Sequence, residues 1–205
     1  MENHKSRRIG LMGGTFDPIH LGHLILAESA YEQLELDQVL FLPAGNPPHK
    51  QQREGASDEA RLAMVRLAIA GNPHFSLDSE EMYRHGYTYT DDTLASLTVR
   101  HPDTEYFFLV GADSLMTFPT WHNPAGICQK CTLAVAVRDQ FDEAKLKKQM
   151  QQMKEQYDAK IVLLQMPELP IASSTLRTLR ENGRSIRYYV PDAVWQYIDA
   201  CQLYC

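Results

Sequence analysis

The chain predicts an α/β protein with a doubly wound, mostly parallel sheet, built as a single domain over residues 1–205. Three observations carry this. Short apolar runs alternate with helical patterns from the first residues to the last. One run, "EYFFLVGAD" at 105–113, is bulky with little polar alternation, as a strand buried on both faces requires. The first strand also ends in a Gly-Gly turn that leads into a helix, which is where such sheets place their ligands.

In order, "RIGLM" (8–12) reads as the first strand, and "HLILAESAYEQLEL" (23–36) as a helix with Leu24, Tyr31 and Leu34 at helical spacing. "VLFLP" (39–43) is the second strand and leads into a Pro and Gly loop. "SDEARLAMVRLAIAG" (57–71) is a helix with Ser57 as N-cap, acidic residues in the first turn and Gly71 as its stop. "FSLDS", "TDDTLASLTVRH" and "EYFFLVGAD" continue the alternation as strand, helix and strand, and "TLAVAVR" and "KIVLLQM" are further strands. Between those two, "DQFDEAKLKKQMQQMKEQYD" is polar, with Phe141, Met150, Met153 and Tyr157 at helix-compatible offsets, and predicts a surface helix capped by its own charges. A helical part from about 171 to 205 closes the chain, its last helix carrying Pro191 in the first turn.

Composition excludes several classes. Hydrophobic residues make up 44% and charged residues 22%, ordinary for a folded globular chain. Lys and Arg number 20 against 26 Asp and Glu, a net charge of −6, so the chain lacks the basic excess expected of a nucleic-acid binder. The longest apolar runs are far too short to span a bilayer, and the run behind Lys5, Arg7 and Arg8 is too short for a signal segment, so a cytoplasmic protein without a membrane partner is expected. Cys128 and Cys131 form a CxxC and Cys201 and Cys205 a CxxxC. Four thiols could close a zinc site, but Cys131 opens an apolar run, and reduced, unlinked thiols suit the expected compartment.

The stretch "GGTFDPIHLGH" (13–23) carries the chemistry. Gly13 and Gly14 allow close backbone approach, and the following helix offers free N–H groups and the positive end of its dipole, so the turn suits a phosphate. It is neither GxGxxG nor a P-loop, which removes the best support for hydride transfer and ordinary NTPase chemistry. His20 and His23 share one face of the helix start and can converge on one anion. Taken alone, the pair is better read as a helix cap or solvated turn, and a metal pair would lack a nearby third ligand.

Together with Thr15, Phe16, Asp17 and Pro18, the stretch resembles the signature of the HxGH nucleotidyltransferases. "LPAGNPPHK", "GYTYTDDTL", "GADSLMTFPTWHN", "IASSTLR" and "YYVPDAVWQYI" extend the resemblance over nearly the whole chain, toward the nicotinate-nucleotide adenylyltransferase family. The resemblance implies a Rossmann-like nucleotidyltransferase fold. It also implies transfer of AMP from ATP to nicotinate mononucleotide, giving deamido-NAD and pyrophosphate, with Mg²⁺ carried by the triphosphate. It assigns His20, His23, Lys50 and Arg177 to catalysis on the phosphates. Gly13, Gly14, Thr15, Gly111, Asp113 and Ser174 are assigned to ATP, and Thr90, Trp121 and His122 to nicotinate. The late motif departs from the usual ISSTxxR: aligned on Ile171 and Arg177, Ala172 stands for the first serine and Ser174 for the threonine, while a shifted pairing on Ser173, Ser174 and Thr175 misplaces the arginine. Asp17 is expected to orient a histidine or the loop, or to form an Asx-type turn before Pro18. The alternatives are a sibling transferase using nicotinamide mononucleotide or another phosphorylated acceptor, a nucleotide-binding module without turnover, and a metal-dependent hydrolase.

Overall fold

The structure is a computed structural model and describes residues 6–46, 55–137, 142–167 and 169–205. Strands β1 (Arg7–Gly14), β2 (Gln38–Pro43), β3 (Phe75–Leu77), β4 (Thr104–Gly111), β5 (Cys131–Val137) and β6 (Ile161–Gln165) form one sheet in the order β3-β2-β1-β4-β5-β6. This is the doubly wound order, and it reverses at β1 and β4. The β1/β4, β4/β5 and β5/β6 pairs are parallel, with Leu11 opposite Phe108 and Phe108 opposite Leu133. Tyr106 to Val110 of β4 are all buried. Because successive side chains point to opposite faces, β4 is covered on both, which explains its unbroken apolar sequence.

Helices α1 (Leu21–Gln33), α2 (Asp58–Ile69), α3 (Glu80–Tyr83), α4 (Thr90–Arg100), α5 (Ala112–Thr117), α6 (Pro124–Lys130), α7 (Glu143–Tyr157), α8 (Ser173–Glu181) and α9 (Asp192–Ala200) complete the described elements, with a 3₁₀ turn at Phe118–Thr120. Their ends follow from local chemistry. The Ser57 hydroxyl accepts from the Ala60 amide at the start of α2, as its N-cap position predicts. The Asp142 carboxylate accepts from the Ala144 and Lys145 amides at the start of α7, and Asp158 ends that helix in the left-handed region. Pro191 sits one position earlier than predicted, as the residue before α9. The patterns missed α3, α5 and α6, which are too short to show periodicity. Among the described residues no helix is long and apolar enough to cross a membrane.

Two compact units make up the chain, each assembled from three segments. Met1–Met12, Leu26–Val39 and Tyr89–Glu168 form the first, where α5 lies on β4 and β5, and α6 meets α4 and α7. Gly13–Ile25, Leu40–Thr88 and Leu169–Cys205 form the second, where α9 packs on α2. Cys128 and Cys131 are buried free thiols, pushed up by burial to about 11 and about 12, and so are unreactive at neutral pH.

Leu133 in β5 is fully buried in the first unit. Leu133→Ala is expected to lower unfolding stability by about 2–5 kcal/mol, through lost burial and the cavity left behind. Denaturant titration of the two proteins reads the difference.

Candidate active site

The second unit gathers the phosphate motif. Gly13 and Gly14 end β1, and the Gly14 carbonyl accepts from the Ala44 amide at 2.8 Å. Thr15 follows, its carbonyl held at 2.6 Å by Nη1 of Arg61 from α2. Arg61 is completely buried, and its other terminal nitrogen donates to Asp58 Oδ1 at 2.8 Å. Phe16 is buried with φ 51°, and its ring meets His23 edge to face at 5.1 Å. The Asp17–Pro18 peptide is cis. Asp17 is buried, and its Oδ1 accepts from the Ala56 amide at 3.1 Å and from the Tyr204 hydroxyl at 2.6 Å, so it orients the loop.

His20 and His23 stack, with ring centroids 3.7 Å apart and planes 20° from parallel. The His20 amide donates to His23 Nδ1 at 3.2 Å. A nitrogen that accepts carries no proton, so His23 is held as the tautomer with its proton on Nε2. Burial, and then the nearby His20 ring, lower the His23 pKa well below 6.5, which leaves it neutral at pH 7. Gly22, one of the two residues between them, eases the close approach: a Cβ there would stand 3.1 Å from His20 Nδ1, tighter than ordinary contact. The start of α1 offers fewer amides than expected. Leu21 N–H is taken by the Tyr189 carbonyl, and those of His23 and Leu24 by the His20 carbonyl. A phosphate at this turn therefore depends more on side chains than on the helix end.

Arg177 reaches the same loop from α8. Its Nη1 donates to the Asp17 carbonyl at 2.8 Å and stands 3.9 Å from Asp17 Oδ2. The Ser173 hydroxyl donates to the Pro18 carbonyl at 2.9 Å, whereas Ser174 is exposed one position further along the first turn of α8. The late motif thus touches the first motif through Ser173 and Arg177. Lys50 lies outside the described residues.

The first unit holds the other predicted residues. Gly111 ends β4 and precedes α5, open space lies where a Cβ would be, and Asp113 is exposed in the first turn of α5. Thr90 begins α4, and the neighbouring Tyr89 ring stacks on His122 at 4.2 Å. Trp121 is half-buried, with the Phe118 ring at 5.2 Å and the Phe108 ring edge-on at 6.0 Å. A clamp that sequence reasoning missed fixes this loop. Asp91 accepts from Asn123 Nδ2 and from Lys130 Nζ, each at 2.7 Å. Asn123 has φ 49°, and its side chain accepts from the Gly126 amide as the N-cap of α6, with Pro124 at the next position. The Asn-Pro pair is the signal that could have located the cap. Arg61 and Tyr204 gave no such signal.

Two stacked histidine rings, one fixed as an N–H donor, thus stand on a glycine-bounded turn at the end of β1, and an arginine reaches the same turn from α8, a combination of the kind nucleotidyltransferases carry. Residues 11–179 match the cytidylyltransferase-like family. A protein of Lachnoclostridium phytofermentans named "probable nicotinate-nucleotide adenylyltransferase" is 44% identical over 94% of this chain and 96% of its own length. One of the same name from Thermomicrobium roseum is 45% identical over 96% and 91%. The chain belongs to the cytidylyltransferase-like family and, within it, to the nicotinate-nucleotide adenylyltransferases. The fold agrees: Plasmodium falciparum nicotinic acid mononucleotide adenylyltransferase complexed with NaAD has TM-score 0.78 at 18% identity, covering 97% of each chain.

The Asp91 clamp should be visible in acid. Burial raises the Asp91 pKa, but the hydrogen bonds from Lys130 and Asn123 and the Lys130 charge outweigh it, and the carboxyl is held below 3.8. A depressed carboxyl contributes stability above its unfolded pKa and loses it as pH falls through the folded value. Lys130→Met is expected to cost about 1–2 kcal/mol at pH 7, between exposed and fully buried pairs. The gap from wild type should close below pH 3.8, as thermal unfolding across a pH series would show.

Proposed function

We propose that this chain carries out its family's reaction, adenylyl transfer from ATP to nicotinate mononucleotide with formation of deamido-NAD and release of pyrophosphate, through His20, His23 and Arg177. A phosphate oxygen of the mononucleotide attacks the α-phosphorus of ATP. The new P–O bond forms as the bond to the bridging oxygen of pyrophosphate breaks. The nucleophile is already an anion, so no activated serine or cysteine is needed, and the work is alignment and stabilisation of charge.

The observation that carries this reading is the 3.2 Å bond from the His20 amide to His23 Nδ1. It leaves Nε2–H as the free donor of a neutral ring, suited to a phosphoryl oxygen whose charge grows in the transition state. Arg177 supplies the permanent charge for the β and γ phosphates, with Lys50 assigned the same task. Thr15 and the Gly13-Gly14 turn hold the triphosphate, Gly111 and Asp113 the ribose, and Ser174 adds a hydroxyl. Mg²⁺ enters as part of the ATP substrate, bound by phosphate oxygens and water.

The residues of the first unit take the acceptor. Trp121 stacks on the pyridine ring, while the Thr90 hydroxyl and the backbone N–H near His122 donate to the nicotinate carboxylate. A carboxylate only accepts, whereas a carboxamide would turn an NH₂ toward donors. Such a mismatch is worth up to about 10⁴-fold in discrimination. No nucleic-acid or membrane partner is part of this reading, and the free thiols suit the cytoplasm.

Pyrophosphate release with ATP and Mg²⁺ is expected to be strong with nicotinate mononucleotide and weak with nicotinamide mononucleotide. Equal rates would discard the carboxylate pocket. His20→Ala and His23→Ala are each expected to lower kcat by at least about 10²-fold with the fold intact, the scale of one lost preorganised donor. Near-normal turnover in both would defeat the assignment. For His23, whose folded pKa is depressed, protonation should also remove activity as pH falls below 6.5 toward its folded value, since Nδ1 then turns a proton against the His20 amide.

A further inference from the structure

We propose that Tyr204 is a positioning residue for Arg177, acting through Asp17 to keep the guanidinium available for the phosphates of ATP. The proposal rests on the role given to Arg177 above. Tyr204 is 187 positions from Asp17 in the chain, yet its hydroxyl lies 2.6 Å from Asp17 Oδ1, the length of a bond to an ionised acceptor. Gln202, at φ 49°, is the left-handed end of α9, with the Leu203 amide donating to the Ile198 carbonyl, and Tyr204 follows at φ 60°, a region non-glycine residues occupy sparingly.

The geometry shows what the contact does. Oδ1 receives two donors, from Tyr204 and from the Ala56 amide. The Oδ2 side is closed by Gly55, where a Cβ would overlap that oxygen. The carboxylate is therefore pinned with Oδ2 3.9 Å from Arg177 Nη1, beyond hydrogen-bond reach, and Arg177 is instead held by the Asp17 carbonyl. The other nearby arginine, Arg61, is committed to the Thr15 carbonyl and Asp58. Burial, and then the bond and charge of Asp17, push the Tyr204 pKa up, so the phenol stays a donor. Without that hydroxyl, a buried carboxylate short of donors would turn to the nearest cation. Arg177 would be drawn into a closed ion pair, in direct competition with the triphosphate.

Tyr204→Phe deletes one oxygen and is expected to raise the KM for ATP roughly tenfold, the scale of one hydrogen bond to a charged group, while the KM for nicotinate mononucleotide stays within about twofold. A merely structural role would instead lower thermal stability and affect both substrates. Arg177→Ala alone must raise the KM for ATP. In that background Tyr204→Phe should add less than about twofold, because the two act on one path. In an Asp17→Asn background, which removes the competing charge, Tyr204→Phe should again add little. If Arg177→Ala impairs ATP use but Tyr204→Phe does not, or if their effects multiply, the proposal fails and the role of Arg177 stands. If Arg177→Ala leaves ATP use unchanged, both fail. Should Tyr204→Phe alone not fold, the comparison of Asp17→Asn with and without it decides the matter.

Discussion

The second unit depends on a carboxylate that has almost no access to water. Asp17 is buried between a residue with positive φ and a proline, inside the turn that carries the histidines. An unsatisfied buried charge costs several kcal/mol, so its partners must be supplied, and each comes from a different part of the chain. Ala56 lies 39 residues away and Tyr204 187, while Arg177, 160 away, holds the Asp17 carbonyl. Satisfying one residue, through its carboxylate and its carbonyl, thus fixes where the Ala56 loop, α8 and the stretch after α9 meet the motif. A histidine pair on an unsupported loop would have no reason to hold one geometry.

The two arginines of this unit show a division of labour. Arg61 is fully buried and spends its terminal nitrogens on a backbone carbonyl and on Asp58, which makes it a brace for the turn. A lysine could not bridge both acceptors with the same fixed fork. Arg177 keeps partial exposure, with 23% of its side chain accessible; among the described residues it donates to the Asp17 carbonyl at 2.8 Å and makes a longer ion pair with Asp17 Oδ2 at 3.9 Å. Neutral His23 complements it as a directional donor whose orientation is set by the backbone of its neighbour.

The parts legible in the sequence were those fixed by local pattern. The buried strand β4, the Ser57 cap of α2, the Gly-Gly turn and the histidine spacing all arise within one element and its flanks, where periodicity and capping rules apply. The braces were not legible, because Arg61 reads as one more polar residue on an amphipathic helix and Tyr204 as one aromatic in a short tail. Their partners are set by tertiary packing, which no local window contains. Asp91 lies between these cases. Its cap partner Asn123 precedes a proline and was readable, but the 2.7 Å bonds from Asn123 and Lys130 join residues 32 and 39 positions away. Ser173 shows a finer limit. The motif's one-residue ambiguity could not be resolved by residue type, and the hydroxyl that meets the Pro18 carbonyl is the one just before Ser174.

Trp121 illustrates why packing and binding need not compete. A lone tryptophan is usually explained by burial, and this ring does meet Phe118 and Phe108. Those contacts fix its plane, and a fixed plane is what a stacking partner requires, since a ring free to rotate would lose entropy on binding. Asp91 extends the same logic to the loop, tying Asn123 to α4 so that Trp121 and His122 are held by the element that begins with Thr90. Residues that look merely structural therefore set the positions of the residues proposed above to take the acceptor.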